Sequence, residues 1–257
     1  MTRNVRACVI YGFGLNCDRE TQHAFNMAGA DAYRVHLTDI INSPRMLEQY
    51  DILAVPGGFS YGDEISAGKV LAVKMKKDLG EFMYNFIEDG KPLIGICNGY
   101  QALVKGGFLP DLNGQREQEV TLTYNESGRF VDTWVDLKVY SNKCPFTRGM
   151  DRLELPVRHG EGKFDAPPET VAELNARDMV VLRYAPKDGD YSMPYNPNGS
   201  LDDIAAICNE RGNVMGIMPH PEGFMFAEQH PLWTRKRKEP IGLEIFRNAV
   251  EYVKKNL

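Results

Sequence analysis

A chain of 257 residues, 43% hydrophobic and 25% charged, is long enough for one large or two small globular domains and has the composition of a soluble one. Its net charge of −5 gives no overall attraction to nucleic acid or an anionic membrane, and no apolar run approaches the length of a membrane span. Five cysteines (Cys8, Cys17, Cys97, Cys144, Cys208), an odd number with no CxxC pair, argue against a disulfide framework and a cysteine-rich zinc site. The N-terminus MTRNVRACVIYGFG lacks the apolar stretch and cleavage site of a secretory signal, so a cytoplasmic location is expected.

The chain opens with an apolar run over 5–10 that ends on Tyr11-Gly12-Phe13-Gly14, after which Asn16 or Asp18 is expected to cap a helix running through Ala28. Gly12 and Gly14 lack the third glycine of a dinucleotide fingerprint. Gly29 closes the helix, and a strand over 32–36, a short helix over 44–50 and a strand over 51–55 follow. The order predicts an α/β fold, an open and mainly parallel sheet with helices on both faces.

The loop Pro56-Gly57-Gly58-Phe59-Ser60-Tyr61-Gly62-Asp63 carries three glycines at a strand's carboxyl end, where open α/β sheets bind ligands; a plain turn would need one. A helical stretch over 67–89 returns the chain to KPLIGICNGYQAL. There a strand over 92–96 meets Cys97 between Gly95 and Gly99 and turns into a helix from Tyr100 onward. This pattern is a nucleophile elbow: the sharp turn pushes one side chain clear of the backbone and aims free helix amides at whatever it attacks. By itself the stretch also fits a buried cysteine packed by glycines.

Runs over 120–124 and 130–140 alternate apolar and polar residues, as antiparallel strands with one wet face do. No linker sets them apart, so they are expected as additions to a single domain spanning 1–257. A strand over 153–157 leads to Arg158-His159-Gly160-Glu161-Gly162, where His159 is either a surface-loop residue or part of a substrate-facing wall; the sequence favours the loop. A helix over 171–176, a strand over 180–184 and a Pro-, Gly- and Asn-rich loop over 186–200 precede a hairpin of 204–209 and 214–218.

The hairpin delivers Pro219-His220-Pro221-Glu222-Gly223. Two prolines fix the backbone around His220, as a general base requires, and Glu222 is placed to hold one imidazole nitrogen and leave the other for a thiol. With Cys97 this makes a Cys-His-Glu set of the kind that activates nucleophiles. His23, His36 and His230 read as solvated or packed. The basic run Arg235-Lys236-Arg237-Lys238 reads as wet surface, with docking of a partner or a phosphate as the alternative, and an amphipathic helix over 243–253 ends the fold.

GICNGYQ around Cys97, together with PHPE at residues 219–222, resembles the class I, triad-type glutamine amidotransferases, whose elbow reads G-x-C-x-G and whose base comes as H-x-E near the C-terminus. Within that class NCDRE from Asn16, VPGGFSYGDE from Val55, HGEGKF from His159, NPNGS from Asn196 and GNVMGIMPHPEG are similar to the glutaminase subunits of phosphoribosylformylglycinamidine synthases, over nearly the whole chain. The resemblance implies that Cys97 attacks the side-chain amide of glutamine to form a thioester. Backbone amides of Asn98 and the Gly57-Gly58 turn would hold the oxyanion, His220 would move the protons, and Glu222 would set its tautomer. Gln101, one helical turn past Cys97, would help hold glutamine, and His159 would line the pocket. It further implies a large ATP-dependent synthetase subunit, with a possible small accessory subunit, that receives the ammonia and aminates formylglycinamide ribonucleotide. No cofactor or metal is expected in this chain, which lacks GxxxxGK[ST] and a carboxylate cluster suited to Mg²⁺; ATP and Mg²⁺ belong to the expected partner. Two other enzymes fit the same residues, a glutaminase feeding another synthetase and a γ-glutamyl cysteine hydrolase on the same fold. A redox sensor using Cys97 is the non-enzymatic reading, and the proline-held His220 argues against it.

Overall fold

The computed structural model describes residues 4–186, 189, 194–236 and 238–257. The first half runs β1 (Arg6–Tyr11), α1 (Asp18–Met27), β2 (Asp31–His36), α2 (Leu37–Asn42), β3 (Ile52–Val55), α3 (Lys69–Glu88), β4 (Leu93–Ile96) and α4 (Asn98–Lys105). The second half runs β5 (Thr121–Thr123), β6 (Val131–Val139), β7 (Arg152–His159), β8 (Lys163–Asp165), α5 (Pro168–Ala176), β9 (Val180–Tyr184), β10 (Ile204–Cys208), β11 (Val214–Ile217) and α6 (Gly242–Asn256).

Nine of these strands form one sheet in the order β2-β1-β3-β4-β11-β10-β9-β6-β7. The first five are mutually parallel and the remainder antiparallel. Every residue of β3, β4 and β11 is buried, which explains their unbroken apolar runs: strands covered on both faces have no polar side to alternate with. The covering helices gather as α1 with α6, where Phe25 meets Phe246 edge-on at 4.9 Å, and α3 with α4. The expected architecture, a mainly parallel sheet with added antiparallel strands, is the observed one.

The runs over 120–124 and 130–140 are antiparallel strands as expected, in two different sheets: β5 pairs with β8 in a separate two-stranded sheet, while β6 lies between β9 and β7 in the main sheet. Several local expectations need correction. Neither Asn16 nor Asp18 caps α1, because the Asp18 carboxylate is taken by the Arg34 guanidinium and the helix begins at Asp18 itself. The elbow helix begins at Asn98, directly after the cysteine, rather than at Tyr100. Part of the loop expected over 186–200, and Arg237 of the basic run, lie outside the described residues. What is described of that loop is ordered by one side chain: Asn196 Oδ1 accepts from the amides of Asn198, Gly199 and Ser200, the job an Asn performs in a tight turn.

Candidate active site

The parallel order brings four loops to the same edge, the carboxyl ends of β1, β3, β4 and β11. Ile96 of β4 pairs with Ile217 of β11, and the Cys97 amide donates to the Ile217 carbonyl at 2.8 Å. Cys97 therefore stands one residue past one strand end, and His220 three residues past its neighbour.

Cys97 has φ 50° and ψ −104°, a conformation sparsely populated by any residue with a Cβ. The glycine at position 99 is what permits it: a Cβ there would lie 1.9 Å from the Val55 carbonyl oxygen, inside the neighbouring strand. The strained turn leaves the thiol donating only weakly, to the Arg158 carbonyl at 3.8 Å.

His220 is buried, and its backbone amide donates to the Pro156 carbonyl at 2.8 Å. Its Nδ1 lies 2.5 Å from Glu222 Oε1, and Glu222 is fully buried. Nε2 has no hydrogen-bond partner among the described residues and is left for the thiol side. Burial alone would lower the His220 pKa; the Glu222 carboxylate and Cys97 overcome that and hold it well above the ordinary histidine value.

This cluster sits in a chain that matches, over residues 4–253, the family of CobB/CobQ-like glutamine amidotransferase domains. The chain belongs to that family. Among its relatives, the phosphoribosylformylglycinamidine synthase subunit PurQ of Dehalococcoides mccartyi is 45% identical over 255 residues, covering 97% of this chain and 98% of that protein. The PurQ subunit of Archaeoglobus fulgidus is 38% identical, with 98% of each chain covered. A chain in the structure of PurLQS from Thermotoga maritima matches with a TM-score of 0.74 at 33% identity, covering 97% of this chain and 99% of that one.

In this amidotransferase fold the glycine loop after β3 is clamped by the loop after β1. Asn16 and Cys17 amides both donate to the Gly57 carbonyl, at 3.2 and 3.1 Å, and the Phe59 amide donates to the Gly14 carbonyl at 2.9 Å. Gly12 and Gly14 serve this clamp and its packing: a Cβ on Gly12 would meet the His36 ring and one on Gly14 the Phe59 carbonyl. A trans peptide points its N–H opposite to its C=O, so the Gly58 amide faces away from the Asn16-Cys17 turn. A Cβ on Gly57 would lie 2.8 Å from His220 Cε1, which puts the glycine loop directly against the histidine ring.

Asn98 and Gln101 are buried and hold this assembly together. Asn98 Oδ1 accepts from the Ser60 amide, its Nδ2 donates to Asp63 and to Gln101 Oε1, and Gln101 Nε2 donates to the Glu161 carbonyl at 2.5 Å. The Gln101 amide is thus occupied by the protein at both ends. Lys105, at the end of the same helix, donates to the Ala67 carbonyl at 2.6 Å and pairs with Glu161 at 3.8 Å.

His159 is not on a surface loop. It is the buried last residue of β7, with Nδ1 3.0 Å from Asn125 Oδ1 and Nε2 3.5 Å from Asn198 Nδ2. Burial pushes its pKa down to about 4. A Cβ at Gly162 would strike its ring, so that glycine serves packing against an imidazole. His36 and His230 are packed with partners and His23 is exposed, in line with the sequence reading.

Sequence reasoning missed three participants. Arg158 contributes a carbonyl next to Cys97, Asp63 orients Asn98, and Cys17 places its thiol against His220. Asp63 belongs to GGFSYGDE and Cys17 to NCDRE, motifs already singled out, while Arg158 directly precedes HGEG; position in or beside them was the available signal. The contact of Cys17 with His220 had no signal, since only the fold brings the two together.

Proposed function

We infer that this chain is the glutaminase subunit of a phosphoribosylformylglycinamidine synthase, hydrolysing glutamine to glutamate and ammonia for a larger synthetase subunit in purine biosynthesis. The observation that carries the reading is the buried His220–Glu222 pair beside a strained Cys97 elbow, in a chain that is 45% identical to a PurQ subunit along almost its whole length. We read residues 1–257 as one amidotransferase domain.

In the proposed cycle His220 takes the Cys97 proton, and the resulting imidazolium is balanced by Glu222 in a site with little water. The thiolate attacks the side-chain amide carbon of glutamine. Charge developing on the amide oxygen is met by the backbone N–H of Asn98, the first of its helix, and by the Gly58 N–H. His220 returns its proton to the nitrogen, the C–N bond breaks, and ammonia leaves a γ-glutamyl thioester on Cys97. His220 then deprotonates a water that cleaves the C–S bond, releasing glutamate. Asn98 and Gln101 brace the elbow against the glycine loop and the 158–162 segment, and His159 sets the wall behind that segment.

On this reading the chain needs no cofactor or metal for its own chemistry, and ATP and Mg²⁺ act in the synthetase subunit, which with a small accessory subunit accepts the ammonia under cover. A cytoplasmic location fits the free state of all five cysteines; no described helix is long and apolar enough to cross a membrane. The test is Cys97→Ala assembled with the synthetase. Glutamine-dependent amination disappears while amination with added ammonium salts persists; loss of both contradicts the assignment.

A further inference from the structure

Cys17 is a thiol that the proposed cycle does not use, yet it sits at the catalytic pair. Its Sγ, a ring nitrogen of His220 and a carboxylate oxygen of Glu222 all lie within 4.8 Å of one another. The two partners are sealed, at 2% and 0% exposure, and each keeps a polar atom, Nε2 and Oε2, with no hydrogen-bond partner among the described residues. Room for the sulfur comes from Gly57, where an added Cβ would lie 3.2 Å from Cys17 Sγ and 2.8 Å from His220 Cε1. Cys17 itself is half-buried.

Thiolate, imidazole and carboxylate are together the donor set of a zinc site, with metal–ligand bonds of about 2.0–2.3 Å. Donors around such a centre stand roughly 3–4 Å apart, so this cluster closes on a cation with a movement of about 1 Å. The sulfur excludes Mg²⁺ and Ca²⁺, which take oxygen ligands, and selects a borderline-soft ion. Three protein ligands leave a fourth position for water.

We propose that Cys17, His220 and Glu222 form a site for a divalent cation of the zinc class, and that filling it switches the glutaminase off. On binding, the thiol proton of Cys17 passes to water, the cation takes the place of the proton between His220 and Glu222, and that proton moves to the other ring nitrogen, where it fills the lone pair that would receive the Cys97 proton. An imidazole that holds a cation no longer accepts the Cys97 proton, so the nucleophile stays a thiol. Binding at the site stands independently of the proposed activity; the switching rests on the reading of this chain as a glutaminase.

The experiment separates the two. Cys97→Ser full-length chain is titrated with Co²⁺ and with Zn²⁺, each alone. The site predicts one cation per chain and a thiolate-to-cobalt charge-transfer absorption, both lost when Cys17→Ser is added. Removing a ligand outright exceeds the ~10–100-fold weakening typical of losing an outer-shell partner, and Mg²⁺ gives no binding. A chain that binds only when Cys97 is present, or that shows no thiolate absorption with Cys97 replaced, overturns the site. In the parent enzyme zinc then inhibits glutamine hydrolysis at the concentration at which it binds the Cys97→Ser chain. Binding without inhibition overturns the switch and leaves the site standing.

Discussion

His220 and His159 are buried to almost the same degree, 2% and 3% exposed, and lie in the same wall, yet they are opposite devices. His220 faces a carboxylate and a thiol, and is held well above the ordinary histidine pKa against the pull of burial. His159 faces the amides of Asn125 and Asn198, which offer it no compensating charge, so burial, reinforced by repulsion from His220, leaves it neutral. The partner, and not the depth, decides whether a buried imidazole is a proton carrier or a structural peg. The two also act on opposite limbs of the stability curve. The stabilisation from His220 is full below pH 6.5 and is lost as pH rises through its raised folded value. That from His159 is full above pH 6.5 and is lost as pH falls through about 4.

The sharpest way to break this contrast is to turn the His220 environment into that of His159. Glu222→Gln replaces the carboxylate by an amide, so the imidazole titrates lower in an NMR pH series and glutamine hydrolysis falls by about 10²–10⁴-fold, the span of a lost general acid–base contribution. An unchanged titration with unchanged turnover would remove the charge balance from the account. Next in size is Gly57→Ala, whose new Cβ meets His220 Cε1 at 2.8 Å and displaces the ring without touching its chemistry. Displacements of about 1 Å in such sites cost up to about 10²-fold. The effect belongs in kcat, with the melting temperature little changed. The smallest effect is on stability alone. In the parent, the His159 shift from 6.5 to about 4 corresponds to roughly 3 kcal/mol lost on acidification, at about 1.4 kcal/mol per pH unit. Denaturant unfolding of His159→Gln across pH 7 to 4.5 therefore shows a flatter acid limb than the parent; an identical slope would assign the acid sensitivity elsewhere.

The same two residues mark how far the sequence could be read. His220 was legible because its constraints are local: prolines on both sides, a glutamate two residues on, and a hairpin that leaves the turn at a strand end. Cys97 was legible for a like reason, since the glycines that permit φ 50° lie only two residues away on either side. His159 was read as a loop residue because the glycines after it resemble a turn, whereas Gly162 is needed to clear the imidazole, and the amides that bury it come from Asn125 and Asn198, 34 and 39 positions away. The contacts of Cys17 with His220 and of Arg158 with Cys97 were hidden for the same cause. β7 is four strands from β11 in the sheet, yet its Pro156 and Arg158 carbonyls meet His220 and Cys97, so the antiparallel half must curl over the parallel half's carboxyl ends. Strand periodicity carries no information about such curling.

The central claim is that Cys97 carries the γ-glutamyl group while His220 and Glu222 handle its protons. Acid-quenching the complex during turnover of glutamine and mapping the modified peptide by mass spectrometry tests it most directly. A γ-glutamyl adduct is expected on Cys97 in the parent complex and is absent in Cys97→Ala. Sustained glutamine hydrolysis by the Cys97→Ala chain, or an adduct on any other residue, would contradict it.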